Sequence, residues 1–197
     1  MIRVVLFDLD GVIRHFDPDH LAGIERRHGL ADGTIAGIAF ANPLIEEVTT
    51  GRITRAEWVR RVGESAGSAP AAEEWGGQPS VVDDALLDLS DEIRGLGLTT
   101  AVLTNGTDTI PAELSAQGIA GRFDAIFNSA EIGFVKPDVR AFEHVLDALG
   151  ATGPEVFFTD DTASKLVGAD RLSMRTHAFD GVDGLRDQLR AAGVGVR

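Results

Sequence analysis

Arg3-Val4-Val5-Leu6-Phe7-Asp8-Leu9-Asp10-Gly11 is the stretch that decides the fold. Its four consecutive apolar residues, two of them β-branched, predict a short strand buried on both faces, as parallel sheets require. Two carboxylates follow at the C-terminal end of that strand, the end at which open α/β sheets bind their ligands. Alternation along a strand puts Asp8 and Asp10 on one side. Acids that close repel each other unless a divalent metal or a shared proton lies between them. The plain structural alternative is a pair of acids capping the next turn.

Downstream, the second half of the chain alternates between the two periodicities. Strands are expected at residues 98–103, 123–127, 156–159 and 175–179, and helices at 84–97, 107–117, 138–149, 164–172 and 184–192. Strands that alternate with helices imply a parallel, doubly wound sheet of Rossmann-like type. Residues 17–82 read differently, as amphipathic helices with no convincing strand. Asp17-Pro18 starts one helix, residues 34–41 and 44–50 form two more, and Thr54-Arg55-Ala56-Glu57 is a capping-box pattern ahead of Trp58, Val59 and Val62. Residues 67–79, rich in Gly, Ala, Pro and Ser, read as a linker. The expected organisation is an α/β core from residues 1–15 and 83–197, interrupted by a helical insertion at 16–82.

Composition narrows the function. The 197 residues carry 31 acids against 18 bases, a net charge of −13, which argues against nucleic acid or an anionic membrane surface as partner. Cysteine is absent, so thiolate nucleophiles, disulfides and Cys-based zinc sites are excluded. No apolar run approaches membrane-spanning length, and Asp8 and Asp10 break up the N-terminal run that a signal peptide would need. The expected location is the cytoplasm. Oligomeric state is not legible.

Polar residues gather where the strands end. The first strand ends in Asp8 and Asp10, the second in Thr104-Asn105-Gly106 and the fourth in Asp160-Asp161, while Lys136 lies in the loop after the third. In a parallel sheet these ends share one edge. Crowded carboxylates there suit a hard cation such as Mg²⁺. A hydroxyl, backbone N–H groups and an ammonium suit a phosphate. Lys136 and Lys165 are the only lysines, and a compact ammonium suits a crowded carboxylate site better than a planar guanidinium does.

Taken together, Asp8-Leu9-Asp10-Gly11-Val12, Leu103-Thr104-Asn105-Gly106, Lys136-Pro137 and Phe158-Thr159-Asp160-Asp161 resemble, in order, the four motifs of the haloacid dehalogenase-like (HAD) hydrolase superfamily, in its phosphatase branch. The insertion falls where that family places its small helical cap. The resemblance implies an α/β core with a cap at 16–82 and a phosphatase acting on a small phosphorylated metabolite, such as a sugar phosphate. It implies that Asp8 is the nucleophile and Asp10 the general acid and base. It further implies that Gly11, Thr104, Asn105, Gly106 and Lys136 bind the phosphoryl group, and that Mg²⁺ is held by Asp8, Asp161 and the carbonyl of Asp10.

Other readings are weaker. A dehalogenase needs no leaving-group proton and leaves Asp10 without a task. A phosphoacceptor receiver module places its acid pair first and its lone aspartate later, the reverse of the order here. Gly63-Glu64-Ser65-Ala66-Gly67 has the spacing of a serine-hydrolase elbow but no strand before it. The five histidines lack metal-ligand spacing, although His15 is close enough to Asp10 to line a pocket entrance. Arg52, Arg55, Arg60 and Arg61 read as a solvated helix face, Trp58 and Trp75 as core, and Asp83 as a helix cap. One departure from the family pattern stands out: Lys165 occupies the position where an Asp or Asn commonly supports the metal.

Overall fold

A computed structural model describes all residues 1–197. Strand β1 (Val4–Phe7) is followed by a short strand β2 (Arg14–Phe16) and five helices, α1 (Pro18–Arg27), α2 (Thr34–Ala39), α3 (Leu44–Thr49), α4 (Arg55–Ala66) and α5 (Ala69–Gly76). Strand β3 (Ser80–Val82) returns the chain to α6 (Asp84–Gly95), β4 (Thr99–Thr104), α7 (Ile110–Ala116), β5 (Ala125–Asn128) and α8 (Ser129–Ile132). The remainder is α9 (Val139–Leu149), β6 (Val156–Asp160), α10 (Val167–Arg171), β7 (Arg175–Ala178) and α11 (Val182–Ala191).

The main sheet has five parallel strands in the order β5-β4-β1-β6-β7. Strand β1 is therefore central, and all four of its residues are buried. Alternation divides them between two cores. Val5 and Phe7 pack beneath α6, α7 and α11, whereas Val4 and Leu6 pack beneath α9 and α10. Strand order reverses at β1, so the crevice at its C-terminal end is a topological switch point. The α/β reading is correct, and Asp17, Thr54, Asp83 and Asp138 cap the helices expected of them, each accepting a backbone N–H within the first turn.

Two expectations fail. Residues 14–16 and 80–82 form an antiparallel ribbon, with His15 opposite Val81, although residues 17–82 are expected to hold no strand. Each strand is only three residues long, too short for a periodicity to register. The expected linker is interrupted by α5. Ser68 caps this helix through the N–H of Ala71, and Ala71, Ala72 and Trp75 are buried. The small residues there serve close packing: a Cβ at Gly63 would lie 3.0 Å from Ala69 Cα and 3.2 Å from Ala72 Cβ. Helices α1–α5 enclose an apolar cluster of their own, built on Ile24, Ile35, Val48, Trp58, Val62 and Trp75.

Candidate active site

Asp8 is the first residue beyond β1. Its N–H donates to Thr159 O at 2.9 Å, which carries the ladder one step further and buries the carboxylate under the strand ends. Lys136 is equally buried and donates to Asp8 Oδ1 at 2.6 Å and to Asp160 Oδ2 at 2.7 Å. Its ammonium also stands 5.4 Å from the centre of the Phe158 ring. Asp8 Oδ2 has no hydrogen-bond partner. Lys165 approaches that oxygen to 3.9 Å, so it neither points away nor pairs with Asp160. Burial pushes the Asp8 carboxyl up to about 6, reinforced by Asp160 and opposed by Lys136 and Lys165.

Carboxylate oxygens of Asp8, Asp160 and Asp161 lie within 4.8 Å of one another. The three are not equivalent. Asp160 Oδ2 accepts from Lys136 and its Oδ1 accepts from the N–H of Thr162 at 2.9 Å, so both its oxygens are engaged. Asp161 is exposed and bonded only to the Thr162 hydroxyl at 3.0 Å. Gly11, at φ +91°, lets the turn pass close by, since a Cβ there would sit 2.2 Å from Asp161 Oδ2. Free oxygens on Asp8 and Asp161, a neighbouring turn without a side chain and hard oxygen donors throughout fit a divalent cation of the Mg²⁺ type.

The other expected residues separate into distinct settings. Thr104 is buried at the end of β4, beside Asn128 in register on β5. Asn105 holds the Lys136 loop from both sides, donating to Lys136 O at 2.9 Å and accepting from Lys136 N at 2.8 Å. Gly106 fits against Ile110 and Asn128, where a Cβ would meet atoms at 2.5 and 2.8 Å. Asp10 does not join the Asp8 cluster through its side chain, contrary to the alternation argument, because β1 ends at Phe7 and the chain then turns. Its carboxylate instead accepts from the buried Arg14 guanidinium, which also donates to Glu113 at 2.8 Å. Burial alone would raise Glu113, but bonds from Thr109 and Arg14 outweigh it and hold its carboxyl below the usual range. Arg14 and Glu113 went unnoticed in the sequence because 99 residues separate them.

Asp10, Arg14 and the Asn105-Gly106-Thr107 loop form the floor of a cavity of about 390 Å³, walled by Phe16, Phe40, Trp58 and Trp75 from the insertion. The tryptophans are thus both core and wall. Of the four arginines, Arg55 lines this cavity and donates to Gly76 O at 2.6 Å. Arg52, Arg60 and Arg61 pair with glutamates of α3 and α4. His15 is not at the entrance; it faces Asp83 at 4.0 Å on the ribbon. Ser65 is exposed within α4, outside any strand–turn–helix setting. No helix is long and apolar enough to cross a membrane.

Comparison with known proteins adds independent findings. The model of the haloacid dehalogenase-like hydrolase family matches residues 2–170. A phosphatase of Mycobacterium tuberculosis is 28% identical, the match covering 94% of this chain and 91% of that one. Bifunctional epoxide hydrolase 2 of Rattus norvegicus is 27% identical over 89% of this chain, but the chain spans only 36% of the rat protein's length. A HAD family enzyme of Bacteroides thetaiotaomicron, solved with magnesium and inorganic phosphate, superposes with a TM-score of 0.76 at 22% identity, covering 94% of this chain and 99% of that one. At that identity the likeness concerns the fold.

Proposed function

The chain belongs to the haloacid dehalogenase-like hydrolase family, and from that premise we propose that it is a Mg²⁺-dependent phosphatase that cleaves a small phosphomonoester through an aspartyl-phosphate on Asp8. The observation that carries this reading is the state of Asp8. One oxygen is fixed by Lys136, and the other is buried with no hydrogen-bond partner. That is the arrangement of an oriented nucleophile.

In the first step Asp8 Oδ2 attacks phosphorus as the bond from phosphorus to the alcohol oxygen breaks, and Asp10 gives its proton to that oxygen. In the second step Asp10 takes a proton from water, whose oxygen attacks phosphorus and releases Asp8 and inorganic phosphate. Arg14 orients Asp10 for both transfers. Lys136 offsets the charge on Asp8 and on the transferring group, and Thr104 with the following N–H groups would receive phosphoryl oxygens. Bound Mg²⁺, held by Asp8, Asp161 and the carbonyl of Asp10, would supply neutralising positive charge. Asp160, with both oxygens engaged, holds Lys136 rather than the metal.

Residues 16–82 act in this reading as a cap that closes over the strand edge and excludes bulk water, the ribbon of β2 and β3 being its two connections to the core. Asp10 also favours phosphoryl transfer over dehalogenation, since a departing halide needs no proton. The test is Asp8→Asn. Phosphate release from p-nitrophenyl phosphate should vanish, and so should the phosphorylated peptide containing Asp8 that mass spectrometry of the quenched wild type would detect. An active variant, shown free of deamidation, would remove the nucleophile and the reading with it.

A further inference from the structure

The cavity above Asp10 specifies the alcohol. We propose that the substrate is the phosphomonoester of an apolar alcohol, aliphatic or aromatic, with on the order of ten heavy atoms, in place of the sugar phosphate expected from the sequence. This inference rests on the phosphatase reading and deepens it.

Position comes first. Asp10 lines the cavity and Asp8 does not, so a phosphoryl group seated at Asp8 directs its leaving group past Asp10 into this space. Size comes second. About 390 Å³ corresponds to roughly thirteen water-sized shares of ~30 Å³, within the range of small-ligand sites.

The lining is the third and deciding observation. Leu21 and Ile45 join Phe16, Phe40, Trp58 and Trp75 around the cavity. Phe40 is 58% exposed and Phe16 36%, and both are among the few large apolar side chains left open to solvent. Phe40 stands edge-on to Trp58 at 6.0 Å and to Trp75 at 6.4 Å, so the three rings form one apolar wall. An exposed aromatic at the mouth of a cavity is a surface awaiting an apolar partner.

Most of the polar lining, Gln78 excepted, is by contrast turned upon itself. Arg14 is engaged by Asp10 and Glu113, and Arg55 by Gly76 O at 2.6 Å with Glu113 Oε1 at 3.7 Å. Both ends of the Asn105 amide hold Lys136, the Thr49 hydroxyl donates to Ile45 O at 2.7 Å, and the Trp58 indole N–H donates to Ala39 O at 3.1 Å. The several hydroxyls of a sugar would lose water on entering and find few free partners, whereas methylenes lose nothing.

The test uses n-alkyl phosphates from ethyl to decyl, with glucose 6-phosphate as the polar comparison. A buried methylene is worth ~0.8 kcal/mol, so kcat/KM should climb roughly fourfold per methylene until the cavity fills, mainly through KM. Binding of the matching alkylphosphonates, followed by tryptophan fluorescence, should rise in parallel, and Phe40→Ala should flatten both slopes. Phe40 is largely exposed, so its truncation spares the fold. Flat turnover and binding across the series, or glucose 6-phosphate outperforming octyl phosphate, would overturn the inference and leave the phosphatase reading standing. Chain-length-dependent binding without phosphate release from any ester would instead sink the phosphatase reading and keep the apolar site.

Discussion

Removing the charge of Lys165 should tighten Mg²⁺ binding. Its Nζ lies 3.9 Å from Asp8 Oδ2, the carboxylate oxygen that has no hydrogen-bond partner. Unit charges 4 Å apart interact by about 1 kcal/mol in bulk water and about 4 kcal/mol at an effective dielectric constant near 20. The Lys165 side chain is 30% exposed, so the value lies between these limits, at about 2 kcal/mol, after allowance for screening. An ammonium placed there competes for Asp8 and repels the incoming cation. Lys165→Asn and Lys165→Met should therefore bind Mg²⁺ roughly tenfold to a hundredfold more tightly. Isothermal titration with Mg²⁺, or Mn²⁺ binding followed by electron paramagnetic resonance, reads this directly, and added salt should narrow the gap. Metal-free Lys165→Met should also melt below wild type, because Asp8 loses a nearby cation, and regain the difference when Mg²⁺ is added. Equal or weaker metal binding in both variants would refute the reasoning. Tightening in the asparagine variant alone would mean that an added amide ligand, and not lost repulsion, is responsible.

Three further outcomes follow from the same geometry. Asp10→Asn should slow octyl phosphate hydrolysis by ~10²–10⁴-fold and p-nitrophenyl phosphate hydrolysis by less, since a nitrophenolate departs without a proton; equal losses would argue against Asp10 as the acid. Lys136→Met leaves Asp8 and Asp160 buried side by side without their cation, so urea unfolding should show a loss of ~3–5 kcal/mol; a loss under 1 kcal/mol, read at neutral pH, would contradict the ion-pair geometry. Burial raises Asp8 from 3.8 to about 6 in the metal-free protein, so its protonated form favours folding below pH 4 and that contribution is lost as pH rises through 6. Relative to Asp8→Asn, metal-free wild type should therefore lose about 2 kcal/mol between pH 4 and pH 7, and a difference that does not change with pH would show that Asp8 ionises freely.

What the sequence made legible depends on how far each feature is determined by neighbours along the chain. The run Val4–Phe7 has to be a central strand, because only burial on both faces tolerates four apolar residues in succession. Once the other strands are parallel to it, Asp8, Thr104, Lys136 and Asp160 must converge, since topology alone brings the strand ends together. Asp10 escaped that logic: alternation holds only while the strand lasts, and it ends at Phe7, three residues before Asp10. Helix α5 was hidden by its own packing, since the glycine and alanines that let α4 and α5 approach are the residues that suggest a flexible linker. The cavity was least legible of all. Phe16, Phe40, Trp58 and Trp75 are spread along the insertion, and the two tryptophans by themselves read as core. Only the placement of the insertion over the sheet edge brings them to one cavity with Asp10, so the polar residues at the strand ends can be read along the chain, while the apolar wall emerges from the packing of helices that share no local pattern.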